Sequence, residues 1–435
     1  MTEKICIIGA GSSGIVAAKV LKQNGLPFDC FEKGSGIGGN WRYRNDNGQS
    51  AAYRSLHINT SKTRMAYSDF PMPETYPDFP GHADILRYFE NYVDHFGFRD
   101  NIRFQTSVEE VRPAEGSSGE GHWQVTTSDG KTETYRAVLV ANGHHWNPRW
   151  PEFPGEFDGE VMHAHSYDLP TDFADKRVLV VGIGNSGVDI ACETSRVAEA
   201  CFLSTRRSAY ILPKYAFGVP LDLYTTPSSS RLPTWLQKHF FKAVLKISRG
   251  SQQRFGVPEP EHHILAAHPT ISADLLHLVG HGEIKVKPNI ERLMGDRVRF
   301  ADGTEEKIDK IVYATGYKIT FPFFKEDFLK LQDGENRVRL FRHVVHPDHP
   351  GLYFIGLVQP LGAIMPLAEA QSEWIANVLS GKAGLPDRSR MEAIIEKDLK
   401  AMAKRYVTSA RHTIQVDFYP YLRDVQYEMR RQPAG

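Results

Sequence analysis

The sequence predicts an α/β fold of two Rossmann-like dinucleotide-binding domains, one inserted into the other, and three observations carry that prediction. A strand, a Gly-x-Gly-x-x-Gly turn and a helix occur in that order twice, roughly 170 residues apart. Each copy leads into a second short apolar strand, which completes a βαβ core. A strand–turn–strand pattern that precedes the second copy returns after it, as expected if one domain interrupts the other.

The first copy opens with Ile5-Cys6-Ile7-Ile8, breaks into Gly9-Ala10-Gly11-Ser12-Ser13-Gly14, and continues as a helix from Ile15 to Asn24. Its second strand, Phe28 to Phe31, ends on Glu32. Trp123–Thr127 and Ala137–Val140 read as strands around the turn Asp129-Gly130. A proline-rich passage, Pro148 to Pro154 and on to Pro170, reads as a connector, placing a boundary near 170. The second copy runs from Val178–Val181 through Gly182-Ile183-Gly184-Asn185-Ser186-Gly187, a helix to Glu193 and the strand Cys201–Ser204, and ends on Thr205-Arg206-Arg207. Val298–Phe300, Asp302-Gly303 and Ile311–Ala314 repeat the strand–turn–strand pattern, so the first domain is expected to resume near 300. Between Leu221 and Pro260 lies an amphipathic segment, Trp235 to Ile247, whose Leu236, Phe240, Val244 and Ile247 recur at helical spacing beside Lys238, Lys242 and Lys246. Packing against the protein, or a wall of a substrate entrance, is the expected use of that stripe ahead of membrane contact.

Glycines in this context permit the tight turn, close approach of backbone to a pyrophosphate, and close packing of helix on strand. The helix N-terminus supplies unpaired N–H groups and partial positive charge. Glu32 stands about 20 residues after its glycines, where a carboxylate accepts ribose hydroxyls as FAD or NAD presents them and repels a 2′-phosphate. At the equivalent place in the second copy stand Arg206 and Arg207, with the Ser204 and Thr205 hydroxyls alongside. Guanidinium groups match a phosphate in charge and geometry, so this copy is expected to take NADPH. The expected division is an FAD domain, 1–170 with 301–435, and an NADPH domain, 171–300. A flavin site and an NADPH site in one chain imply hydride passed from nicotinamide to flavin.

Composition narrows where the electrons go. Lys plus Arg and Asp plus Glu both number 52, which removes the bulk electrostatic case for a nucleic-acid partner. Four cysteines, Cys6, Cys30, Cys192 and Cys201, fall in no redox-pair or metal-knuckle spacing, which argues against a disulfide acceptor and favours a reducing cytoplasm. His343, His346 and His349 sit in a proline-flanked loop with no companion cysteine, and no metal is expected there. No run approaches 18 apolar residues, and no signal peptide or membrane span is expected. Dioxygen or an external acceptor remains.

Phe157-Asp158-Gly159-Glu160-Val161-Met162-His163-Ala164-His165-Ser166-Tyr167 resembles F-x-G-x-x-x-H-x-x-x-Y, the identifying motif of the flavin-containing monooxygenases. The resemblance extends to Gly38-Gly39-Asn40-Trp41, Asn59-Thr60-Ser61-Lys62, Tyr67-Ser68-Asp69-Phe70-Pro71, Ala314-Thr315-Gly316-Tyr317 and Gln359-Pro360-Leu361-Gly362. It implies that NADPH reduces FAD, that dioxygen adds at the flavin C4a to give a hydroperoxyflavin, and that an amine nitrogen or sulfide sulfur takes the distal oxygen. It further implies FAD contacts at Gly9, Gly11, Ser12, Ser13, Gly14, Glu32, Asn40, Trp41, Thr60, Val108 and Gln359. NADPH contacts are implied at Gly182, Gly184, Asn185, Ser186, Gly187, Ser204, Thr205, Arg206 and Arg207. Asn59 is the implied catalytic side chain, its alternative being a turn-capping asparagine. His163 is expected to link the two nucleotide sites rather than donate a proton, with plain packing as its alternative. Tyr167, followed by Asp168 and Leu169 before Pro170, favours heteroatom oxygenation over a Baeyer–Villiger reaction. A homodimer is implied, and the absence of the apolar tail of the animal microsomal members is expected to leave the chain soluble. Competing functions are an NADPH oxidase or reductase feeding an external acceptor, and an NADPH-sensing protein without flavin chemistry.

Overall fold

Ile5–Ile8 is the middle strand of a five-stranded parallel sheet ordered Leu352–Phe354, Ala137–Val140, Ile5–Ile8, Phe28–Phe31, Ile102–Arg103. The computed structural model describes residues 4–114, 121–329, 336–406 and 413–433. Strand runs apolar on both faces demand cover on both sides, and alternate residues divide accordingly. Ile5, Ile7, Cys30 and Leu139 share a core with Ile15, Val16, Tyr88, Phe89 and Trp374, from the helices Ser12–Gln23, His82–Phe96 and Met365–Leu379. Cys6, Ile8, Phe31, Val138 and Val140 share another with Val111, Trp123, Val125 and Tyr135 of the antiparallel sheet Val108–Pro113, Trp123–Thr127, Thr132–Tyr135. The first helix starts at Ser12, three residues before the position expected from apolar periodicity, because the two serines and Gly14 form its opening turn.

The second unit repeats the scheme with a parallel sheet ordered Glu160–His163, Lys310–Tyr313, Arg177–Val181, Ala200–Ser204, Ile284–Lys287. Its glycine-turn helix is Asn185–Thr194. Compact units divide at Met1–Asn147 with Lys318–Gly435, and at Pro148–Tyr317. The boundaries expected near 170 and 300 therefore move outward by two strands each. Glu160–His163 pairs with Lys310–Tyr313, which pairs with Arg177–Val181, so both outlying strands belong to the second sheet. Gly155–Phe157 likewise joins Ile290–Gly295 in a four-stranded sheet with Arg297–Phe300 and Glu305–Lys307. The amphipathic segment is a helix, Thr234–Ser248, but its buried residues are Val244 and Leu245. Leu236, Phe240 and Ile247, expected to pack with Val244, are exposed.

Candidate functional site

In the first unit Gly9 has φ +98°, and a side-chain carbon there would stand 2.8 Å from the Ala141 carbonyl oxygen. One on Gly14 would stand 1.8 Å from the Gly9 oxygen, so strand, turn and helix close only with glycine at both places. Gly11 caps the helix without a side chain. The first helical bond is Ile15 N–H to the Gly11 carbonyl, and among the described residues the N–H groups of Ser12, Ser13 and Gly14 have no partner. Three uncommitted donors at a helix start, approached by the backbone of Gly39, fit the pyrophosphate of a dinucleotide. Glu32 is buried, and its carboxylate accepts from the N–H of Ala10 and of Gly34, both at 2.8 Å, and from Asn47 Nδ2 at 3.1 Å. Three donors leave one of about four lone-pair sites for a ribose hydroxyl.

The second turn has the same build. Gly182 has φ +119°, with a side-chain carbon 2.5 Å from the Ala314 oxygen, and one on Gly187 would meet the Gly182 oxygen at 2.0 Å. Gly184 caps the helix. Val188 N–H makes the first helical bond, and Asn185, Ser186 and Gly187 keep uncommitted N–H groups among the described residues. Here Asn185 turns its side chain inward: Oδ1 accepts the Ile271 N–H at 2.8 Å, and Thr270 Oγ1 donates to the Ile183 carbonyl, so the strand Thr270–Ile271 backs the turn. Ser204 is fully buried and donates to the Pro288 carbonyl at 2.7 Å, which makes it a strand anchor. Arg206 and Arg207 are exposed, and Thr205 Oγ1 braces their loop by donating to the Arg207 carbonyl.

Asn59 lies on the first unit, in a segment pinned at both ends. Ile58 N–H donates to Pro80 and Lys62 N–H to Asp78. Further on, the buried Tyr67 hydroxyl donates to the Ser12 carbonyl at 2.6 Å, at the glycine turn itself. Ser61, not Asn59, caps the short helix Lys62–Met65. Among the described residues the Asn59 and Thr60 side chains make no hydrogen bond, so the Asn59 amide is available to a ligand. Asn40 Oδ1 takes the Ala51 N–H, which leaves its Nδ2 and one Oδ1 lone pair for a ligand. Trp41 is half-buried against the core, and Gln359 is half-buried in register with Gln415. Val108 is buried among apolar neighbours.

Several supports escape sequence reasoning. Lys19 is buried with Asp69 at 2.5 Å and Glu369 at 3.6 Å, while Glu369 also accepts the Ser68 N–H. This network joins the glycine-turn helix, the segment after Asn59 and the helix Met365–Leu379. Gly356 presses on Ser13 so closely that a side-chain carbon would fall 2.0 Å from Ser13 Oγ, and Gln371 fixes the Gly356 N–H. None carries a local motif, and only the assembled fold brings them together.

The Phe157-to-Tyr167 motif belongs wholly to the second unit. Gly159 is forced by the Asp309 carbonyl, 2.4 Å from where a side-chain carbon would stand. Buried Tyr167 donates to Glu193 Oε2 at 2.7 Å and so holds the far end of the glycine-turn helix. His163 Nδ1 accepts the His165 N–H, which puts the ring proton on Nε2. Burial pushes its pKa down to about 4, so the ring is neutral near pH 7.

The model of the flavin-binding monooxygenase-like family matches residues 2–434. Flavin-containing monooxygenase 5 of Rattus norvegicus is 40% identical over 443 residues, covering 97% of this chain and 82% of the relative. The chain belongs to the flavin-binding monooxygenase-like family. It is a flavoprotein monooxygenase that uses FAD and NADPH. Dimethylaniline monooxygenase [N-oxide-forming] 2 of Mus musculus is 36% identical, covering 100% of the chain and 84% of that relative. Among solved structures, the S-allyl-L-cysteine S-oxygenase of Allium sativum is 27% identical with a TM-score of 0.73, covering 100% of this chain and 90% of that one. Cyclohexanone monooxygenase in its closed form shares the fold, with a TM-score of 0.73 at 19% identity, over 99% of this chain and 97% of its own. Among the described residues no helix is long and apolar enough to cross a membrane.

Proposed function

We propose that the first unit holds FAD, the second holds NADPH, and the enzyme transfers one oxygen atom of dioxygen to a soft nucleophile, an amine nitrogen or a sulfide sulfur. One observation carries the cofactor assignment. Two glycine turns of the same geometry end in opposite charges, a buried carboxylate in one and an exposed arginine pair in the other. The N-oxide-forming and S-oxygenase relatives support the substrate class. A homodimer in a reducing cytoplasm completes the reading; the family resemblance supports the first, and four buried free cysteines fit the second.

Bound FAD supplies the carrier that takes two electrons from NADPH and hands them to dioxygen. The chain's residues supply position and exclusion. Ser12, Ser13 and Gly14 N–H groups hold the FAD pyrophosphate, and Glu32 fixes its ribose. Asn185, Ser186 and Gly187 N–H groups hold the NADPH pyrophosphate, and Arg206 and Arg207 take its 2′-phosphate. Asn59 presents an uncommitted amide that hydrogen-bonds the reacting oxygen or the nicotinamide. No side-chain base is needed, since the substrate's lone pair is the nucleophile, and the balance is substrate, dioxygen, NADPH and a proton giving oxide, water and NADP⁺. The test is the yield of N-oxide or S-oxide per NADPH across a panel of tertiary amines and thioethers. A yield approaching one for good substrates supports the proposal; hydrogen peroxide alone across the panel makes the enzyme an NADPH oxidase.

A further inference from the structure

We infer that a cavity in the first unit, one that the glycine turn does not line, is an effector site for a small neutral amide-like molecule whose occupancy is felt at the flavin. The cavity holds about 390 Å³ and is lined by the helices Arg388–Arg405 and Phe418–Met429, the strand Gln415–Asp417 and the chain from Arg337 to His343. That size suits a small ligand. Val338, Leu340, Ile395, Leu399 and Met402 give it a largely apolar wall. Charged side chains in the wall already face opposite charges: Arg339 meets Glu392 and Glu396, Arg342 meets Asp398 and Asp424, and Arg405 meets Asp417. A neutral occupant suits such a wall better than an ion.

Two polar groups name the occupant's chemistry. Gln415 lines the cavity at 2% exposure, and both its Oε1 and its Nε2 are buried without a hydrogen-bond partner. Native proteins rarely leave a buried carboxamide unpaired, because its desolvation is then uncompensated. His343 lines the cavity too, and among the described residues its ring makes no hydrogen bond. Burial, with Arg342 and Arg337 alongside, pushes its pKa down to about 4, so the ring is neutral and offers one donor and one acceptor. An amide or lactam carries a donor beside an acceptor and can pair with either group. Arg342 and His343 also have φ +52° and +57°, two successive non-glycine residues in the left-handed region. Such strain persists where surrounding contacts fix it, and it gathers at ligand sites. Here the Tyr421 hydroxyl fixes it by donating to the Arg342 carbonyl at 2.7 Å. The same hydroxyl accepts from Gln371 Nε2 at 2.6 Å, and Gln371 Oε1 takes the N–H of Gly356, the residue that presses on Ser13. Tyr421, Gln371 and Gly356 thus join the cavity wall to the first glycine turn, a coupling to the flavin that rests on the proposed seat of FAD at that turn.

The experiment titrates benzamide into the full FAD-loaded chain, with binding read by saturation-transfer difference NMR and FAD affinity by equilibrium dialysis. Benzamide should bind saturably, and benzoate, of the same shape but charged, roughly tenfold more weakly. Gln415→Leu removes the amide partner, and Met402→Trp fills the cavity from the helix Arg388–Arg405. Each should weaken benzamide roughly tenfold while NADPH turnover without benzamide stays unchanged, and Met402→Trp decides if Gln415→Leu fails to fold. Saturating benzamide should shift the FAD dissociation constant of the wild type about fivefold. Tyr421→Phe should keep benzamide binding and lose that shift. No saturable binding, equal binding of benzoate, or binding kept in both cavity variants overturns the inference. So does an FAD dissociation constant that benzamide leaves unchanged in a chain whose Gly14→Ala variant loses FAD, a control that separates failed coupling from FAD seated elsewhere.

Discussion

The glycine turns at Gly9–Gly14 and Gly182–Gly187 are near copies, and they differ where the following strand ends. In both, the first glycine stands against the carbonyl of an alanine, Ala141 or Ala314, and the last against the oxygen of the first. Both leave three helix N–H groups uncommitted among the described residues. Beyond that, Glu32 is buried and clamped by Ala10, Gly34 and Asn47, whereas Arg206 and Arg207 stand in solvent. The lesson is a division of labour. In the proposed assignment, backbone geometry recognises what all dinucleotides share, and one or two side chains recognise what distinguishes them. The carboxylate is fixed in advance by the chain's own N–H groups, while the guanidinium groups are exposed, as their proposed contact with a phosphate requires.

The most severe way to break this symmetry is to fill one turn. Gly14→Ala puts a carbon against the Gly9 oxygen, and purified protein should carry almost no FAD and show no NADPH turnover. Gly187→Ala should keep FAD and stay yellow while the KM for NADPH rises by roughly a hundredfold, as expected for about 3 kcal/mol of lost phosphate contacts. Flavin loss in both variants would contradict separate sites. Glu32→Ala should weaken FAD binding about tenfold to a hundredfold, since it leaves buried N–H groups unpaired; Glu32→Gln, which keeps an acceptor, should fall between. Equilibrium dialysis of FAD distinguishes these cases.

A third contrast concerns stability. His163, in the second unit, is held neutral with a pKa near 4, so the unfolded chain binds a proton that the folded one refuses between about pH 6.5 and pH 4. Stability should therefore rise with pH across that window by roughly 1–3 kcal/mol from this group and level off above it. Urea midpoints against pH should show a shallower slope in His163→Gln; an unchanged slope would remove His163 from the account. The smallest effect is expected for Tyr67→Phe, which loses only its bond to the Ser12 carbonyl. A cost of about 1 kcal/mol in thermal or urea unfolding is expected, with no change in NADPH preference.

What was legible in the sequence follows the range of each interaction. Strand, turn and helix around each glycine motif are local, and Glu32 and the arginine pair stand at fixed offsets from them. The units divide near 148 and 317 rather than near 170 and 300, because Glu160–His163 and Lys310–Tyr313 join the second sheet by pairings between segments far apart in the sequence. Periodicity marked Leu236, Phe240, Val244 and Ile247 as one stripe, but the neighbour it packs on took only Val244. Ser204 and Asn185 stand where ligand contacts are expected, but Pro288 and Ile271 take their side chains, which leaves Asn185 its backbone N–H for the proposed pyrophosphate contact. Lys19, Glu369 and Gln371 carry no motif at all.

The two turns differ at their strand ends, and one measurement addresses that difference directly. Arg206→Ala/Arg207→Ala should retain one FAD per chain and the same KM for NADH, while the KM for NADPH rises about tenfold to a hundredfold as two charge-assisted phosphate contacts disappear. Equal changes for NADPH and NADH, or loss of FAD from this variant, would contradict the assignment of the 2′-phosphate to the second turn.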